Sequence, residues 1–283
     1  MVGALAGAGL ACAPIATAGP DCTPVAGAVL LPDALQETSG VAVSGRSSGV
    51  LWTHNDEGSE LFSLDADGLV LGRFTMSEAA RDPEDLASAD CAGETCLYLA
   101  DTGDNAERRG NGDARILRVR EPEDPTESGP LEADAFPVRL PDGPRDTEAI
   151  FVLPGERVYL LTKGRSDPVT VYRYPGELRA EVVTLEGVQV LTDGPQQLLD
   201  QVTGASASSD GSLVGVRTYR ALRFYEVEAG RLVPLEGGLV NLRPLEEIQG
   251  EGLAIGPDGA VWLTSEGGPL GGPAALNALR CRL

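Results

Sequence analysis

From Ser39 onward, short apolar stretches alternate with turn residues, and the stretches fall into a unit that recurs five times. Each unit opens on a strand whose first residues are small or acidic: SGVAVSG from Ser39, EDLASAD from Glu84, EAIFVLP from Glu148, TGASASS from Thr203 and EGLAIGP from Glu251. A second apolar strand follows each: VLWTHND from Val50, CLYLADTGDN from Cys96, RVYLLTKG from Arg157, LVGVRTYR from Leu213 and AVWLTSEGG from Ala260. Third strands are legible in the first four units, as ELFSLDADG, ARILRVREP, VTVYRYPGE and ALRFYEVEAG, and a looser outer strand follows, as in EVVTLEGVQVL. Asp67-Gly68, Asp210-Gly211 and Pro257-Asp258-Gly259 fall between strands, as hairpins require.

No amphipathic helical period separates the units, which disfavours α/β folds. The unit starts lie about 45 to 65 residues apart, the spacing of four-stranded propeller blades. The pattern predicts an all-β, five-bladed propeller; a six-bladed ring is the alternative, for which no sixth unit is found. The last unit runs out near ALRCRL without an outer strand. VAGAVLL from Val25 is the candidate to supply it, so that N- and C-terminal strands share the closing blade.

The cysteines bear on that closure. Beyond Cys12 there are four, Cys22, Cys91, Cys96 and Cys281, which allow three connectivities. Cys91 and Cys96 flank a plausible turn and suit a local bridge, while a Cys22–Cys281 bridge would tie the two ends of the ring together. No paired C-x-x-C spacing supports zinc. The uncharged, apolar residues 1–18 read as a secretory signal ending at Ala16-Thr17-Ala18, leaving residues 19–283 as one propeller domain. A lipid anchor on Cys12 is the rival reading, weakened by Gly9 where an aliphatic residue is expected. Either way the expectation is an exported protein: periplasmic, extracellular or envelope-anchored.

With 43 acidic and 22 basic residues, the chain has a formal charge of −21. That argues against nucleic acid and against anionic membrane surfaces, and it is compatible with cationic ligands. Lys163 is the single lysine and His54 the single histidine.

In a propeller, the start of each first strand and the end of each second strand meet at one rim. That rule gathers His54, Asn55 and Asp56 from blade one, and Glu84, Asp85, Asp101, Asp104 and Asn105 from blade two. Glu148 and Lys163 come from blade three, Arg217 and Tyr219 from blade four, and Glu251, Ser265 and Glu266 from blade five. Carboxylates crowded in a narrow mouth repel one another unless a cation compensates. An oxygen-rich set suits calcium, magnesium or manganese. The candidate cofactor is thus Ca2+ or another divalent cation.

Other motifs carry less. Gly45-Arg46-Ser47-Ser48-Gly49 matches a nucleophile-elbow pattern but sits at a hairpin turn, and Asp65-Ala66-Asp67-Gly68 is too short for a calcium loop.

The order of SGVAV, LWTHNDEGSELFSLDADG, DPEDLA, LYLADTGDNAERR, LRVREP, DTEAIFV and VYLLTKG resembles a group of bacterial exported propellers described as phytase-like or as conserved lipoprotein-type proteins. The resemblance covers the chain from about Glu37 onward and speaks mostly to fold. A looser similarity links the chain to gluconolactonase-like propellers, in which a Glu opening a first strand joins Asn and Asp from other blades to hold a divalent metal. That similarity implies Glu84, Glu148, Glu251, Asn55, Asn105 and Asp101 as ligands, with Asp56 beside them from the rim reading. Two functions follow. The preferred one is a non-catalytic or scaffolding propeller, expected to be monomeric, whose rim binds a cation or a small-molecule or envelope ligand. The alternative is a metal-dependent hydrolase of an ester, lactone or phosphoester. There Glu84, Glu148 or Glu251 would serve as base, and Lys163 or Arg217 would stabilise developing negative charge.

Overall fold

The computed structural model describes residues 20–110, 112–268 and 271–282; the expected signal segment and Cys12 lie outside them. Five antiparallel sheets stand in a ring, so the fold is the five-bladed propeller and not the six-bladed one. The innermost strands, from blade one to blade five, are Thr38–Val43, Pro83–Cys91, Thr147–Leu153, Val202–Ala207 and Gln249–Ile255. Each packs beside the next around the axis, and the last returns to the first.

These inner strands are apolar on both faces because each serves two interfaces. Successive side chains alternate: Ile150 and Val152 pack toward blade two with Tyr98 and Ile116, while Ala149 and Phe151 pack toward blade four with Val214 and Tyr225. Five buried clusters result, one for each blade–blade contact.

Closure differs in detail from the expectation. The strand that completes blade five is Asp21–Pro24, paired antiparallel with Ala275–Arg282 and with Cys22 opposite Cys281. Of the expected VAGAVLL segment, Val29–Leu30 pairs further along the same strand, and Val25 N and Leu31 N donate to Ala278 O and Ala274 O. Both bridges, Cys22–Cys281 and Cys91–Cys96, are present. A feature that the repeat pattern did not anticipate links consecutive blades. The chain running to the outer strand of blade two lends Gly129–Leu131 in parallel to the outer strand of blade one, and Val183–Thr184 does the same for blade two.

Near the mouth the ladder between first and second strands carries a register shift in every blade: Thr38/Val41, Pro83/Asp85, Thr147/Ala149, Val202/Gly204 and Gly250/Leu253. Such irregularities re-aim the residues that follow a strand's first pairing. They also allow close approach. A Cβ on Gly40 would fall 2.4 Å from Leu86 N, one on Gly204 2.7 Å from Glu251 O, and one on Gly252 2.5 Å from Ser39 O.

Into this constriction blade two places the fully buried Asp85. Its Oδ2 accepts the backbone N–H of Ile150 in blade three (2.9 Å) and of Ala205 in blade four (3.0 Å), and its Oδ1 accepts that of Leu86. Asp85→Ala orphans two buried N–H groups in different blades, each costing about 1–3 kcal/mol. Urea unfolding is expected to show a loss of about 2–6 kcal/mol, with a smaller loss for Asp85→Asn; an unchanged midpoint for the alanine variant would contradict the bridging role.

Candidate functional site

Three carboxylates converge at the mouth. Glu84 opens the inner strand of blade two, while Asp146 and Glu148 flank the start of the inner strand of blade three. One oxygen from each lies within 4.8 Å of the others. Asp146 and Glu148 stand two apart on extended chain, the spacing that puts side chains on one side. Asp146 is fixed by the backbone N–H of Asp104, which donates to its Oδ1 at 2.9 Å.

Two cations face this set. Lys163 Nζ is 2.8 Å from Glu148 Oε1 and 3.9 Å from Asp146 Oδ2, and Arg165 Nη2 is 3.2 Å from Asp146 Oδ2. Each of these buried carboxylate oxygens therefore meets a cation. The Glu84 carboxylate makes neither a hydrogen bond nor an ion pair among the described residues. Burial and then Glu148 push it well above the ordinary carboxylate range, against the pull of Lys163. Burial also raises Glu148 despite Lys163. Lys163 pays a burial penalty, yet Glu148, Tyr219 and Asp146 hold its ammonium above its ordinary value.

Glu251, the third first-strand glutamate, stands outside the triad. Gln249 Nε2 donates at 2.9 Å both to Glu251 Oε1 and to Glu266 Oε2, joining the start of one strand of blade five to the end of the next. Burial, then Glu148 and Glu266, raises Glu251 well above its usual value. Burial with Asp56 and Glu37 pushes Glu266 up to about 7, and Asp56 is raised to about 6 by burial, Glu37 and Glu57. Burial, then Glu251, likewise raises the Tyr219 phenol. Asn55 donates to Ala34 O, while its Oδ1 and Asp56 Oδ1 are covered without a hydrogen bond. The mouth thus has a compensated side at blades two and three and an acidic side at blades five and one.

Besides Asp85 and Asp104, whose carboxylates accept backbone N–H groups, four residues gathered by the sequence rule have other work. Asp101 is fully buried and its oxygens are taken by Arg109, by both Nε and Nη2 of Arg115, and by the backbone N–H groups of Arg81 and Asp82. Asn105 is exposed and accepts Arg165 Nη2 at 2.6 Å, so it steadies a cation of the site instead of lining it. Arg217 is fully buried, donating to Gly252 O and Thr264 O and pairing with Glu247. His54 accepts the Gly40 N–H at Nε2 (3.2 Å) and meets Asn55 O through Nδ1 (2.8 Å), which leaves no ring nitrogen for proton transfer. The sequence reading missed Asp146, Arg165 and Gly103. Asp146 was legible as the Asp-x-Glu of DTEAI. A Cβ on Gly103 would lie 1.9 Å from Glu84 Oε1, a contact that only the fold reveals.

No protein-family model matches this sequence, and no curated protein matches it. Solved structures do. The PQQ-bound form of an aldose sugar dehydrogenase from Streptomyces coelicolor is similar with a TM-score of 0.56 at 12% identity, over 94% of this chain and 99% of that one. A glucose dehydrogenase is similar with a TM-score of 0.53 at 10% identity, over 89% and 98%. At such identities the likeness is one of fold.

His54 supplies a pH signature of the ring. Burial lowers it from 6.5 to about 4, against the Asn55 carbonyl. The unfolded chain therefore takes up the proton first, and stability present above pH 6.5 is lost as pH falls toward 4, by about 3 kcal/mol at most. His54→Gln should be less stable at pH 7 and show a shallower loss over that interval in urea titrations. Parallel profiles for the two proteins would rule this out.

Proposed function

We propose that the protein is an exported propeller whose mouth binds a divalent, oxygen-preferring cation, with calcium the leading candidate, and through it a small-molecule or envelope ligand. The role is one of binding and not of turnover. The observation that carries this reading is the convergence of Glu84, Asp146 and Glu148, with the Glu84 carboxylate free of hydrogen bonds and ion pairs among the described residues. Carboxylates held this way favour a hard cation with oxygen ligands. The three residues would hold the ion, and Lys163 and Arg165 would favour a ligand bearing negative charge. Two disulfides suit an oxidising compartment, and among the described residues no helix is long and apolar enough to cross a membrane. The charge of −21 weighs against nucleic acid as a partner.

Chelator-treated protein should melt higher when calcium, magnesium or manganese is restored. At a hundred times the dissociation constant, the gain is about 2.7 kcal/mol, or roughly 5 °C or more for a chain of this size. Glu84→Gln and Asp146→Asn should each remove the shift. A flat response to all three ions sinks the cation reading; a shift retained by both variants moves the site elsewhere.

Hydrolysis is the second reading, favoured by one observation: Glu266, raised to about 7 and hydrogen-bonded to Gln249, lies in the range that suits a general base at neutral pH. A bound cation would polarise a carbonyl or phosphoryl oxygen. Chromogenic esters, lactones and phosphoesters should then be turned over by the wild type and not by Glu266→Gln. Equal rates for the two proteins would exclude Glu266 as the base.

A further inference from the structure

Between blades two and three, on the same rim as the mouth, lies a pocket of about 200 Å³ that is open to solvent on one side. Its walls are Ala114, Val138, Leu140 and Leu160, with Gly110 and Gly143 among the residues around it. The polar side chains that also line it are engaged elsewhere. Thr102 Oγ1 donates to Thr147 O, and Thr147 Oγ1 donates to Arg145 O. The Asp104 carboxylate accepts the N–H groups of Arg108 and Arg109. Arg109 donates to the carbonyls of Asp101 and Asp113, Arg139 Nε to Thr184 Oγ1, and Arg145 holds Asp142 and Asp167.

A water molecule needs two to four polar partners to be at home in a cavity, and an apolar cavity of about 150 Å³ elsewhere takes up benzene. Apolar walls in a pocket open to solvent on one side, polar side chains already engaged and this volume favour one class of occupant. We infer that the cavity is a binding site for a compact, uncharged apolar molecule of one or two fused rings. The site is separate from the carboxylates of the mouth, although its wall includes Asp104 and Arg145, which flank Asp146 through a hydrogen bond and a peptide bond. A sugar or a polyol would compete with the partners that the lining Thr, Asp and Arg side chains already have.

The cavity can be tested without the cation. Chelator-treated protein is titrated with toluene, indole and naphthalene, followed by saturation-transfer NMR and by melting temperature, with glucose as the polar control. At least one ring compound is expected to bind and to raise the melting temperature, and glucose is not. Ala114→Leu and Leu140→Trp each put bulk into the cavity at partly buried positions. Both should fold, with a cooperative melt, and weaken the ring compound at least tenfold. Two variants guard against the misfolding of one. Absence of binding to the wild type overturns the proposal, as does binding of unchanged affinity in a folded variant. Since no cation is present, either outcome leaves the reading of the mouth to its own experiment.

Discussion

The Asp85 carboxylate holds three inner strands at once, and the form of the mouth depends on it. A five-bladed ring brings its inner strands so close that the backbone of one meets the next with no room for side chains, as Gly40, Gly204 and Gly252 record. Packing alone would leave inward-facing N–H groups without partners, a cost that no apolar residue can relieve. Asp85 answers for Ile150 and Ala205 across two blade boundaries. A belt of bonds does the rest: Ser39 Oγ to Glu84 O, Thr102 Oγ1 to Thr147 O, Val202 N to Lys163 O, Thr203 Oγ1 to Glu251 O and Thr264 Oγ1 to Ser39 O. Every blade boundary is crossed once, at or beside the first turn of the inner strand.

That belt explains which positions are free for chemistry. In blades one and four the residues at the head of the repeat, Ser39 and Thr203, spend their hydroxyls on the neighbouring blade. In blades two, three and five the same place is held by Glu84, Glu148 and Glu251, whose side chains are longer and reach beyond the belt into the mouth. Their charge is then confined where burial raises all three glutamates, and the arrangement stands because Lys163 and Arg165 meet it on one side. A long, flexible ammonium reaches both Glu148 and Asp146, whereas the planar guanidinium of Arg165 is kept in place by Asn105.

The fold was legible because the propeller repeats its signal: five inner strands apolar on both faces, second strands of like character, and hairpin turns between. The position of Asp21–Pro24 was less so, since a four-residue exposed strand carries no periodicity, and only its cysteine marked it. At the site, the rule that strand starts and ends share a rim gathered Glu84, Glu148, Lys163, Glu251 and Glu266, whose charges act on one another in the structure. It could not sort acids by their partners. Asp101 looks like a rim ligand in LADTGDN until Arg109 and Arg115, from further along the chain, claim both its oxygens. Arg217 looks like a mouth cation until Glu247 draws it between blades four and five. Both errors arise from long-range ion pairs, which leave no trace in local spacing.

The asymmetry of the mouth follows from the same pairings. Had Arg217 faced the axis, the acidic side at blades five and one would be neutralised as Glu148 and Asp146 are by Lys163 and Arg165. Its burial against Glu247 instead leaves Glu251 and Glu266 with Gln249 and the more distant Lys163 to moderate them, and leaves Asp56 among acids. An axial ligand therefore meets two surfaces, one where Lys163 and Arg165 face the carboxylates and one where no cation pairs with them among the described residues, while burial raises carboxyls on both. The divalent ion proposed for Glu84, Asp146 and Glu148 would bring positive charge to the one carboxylate there that neither Lys163 nor Arg165 pairs with.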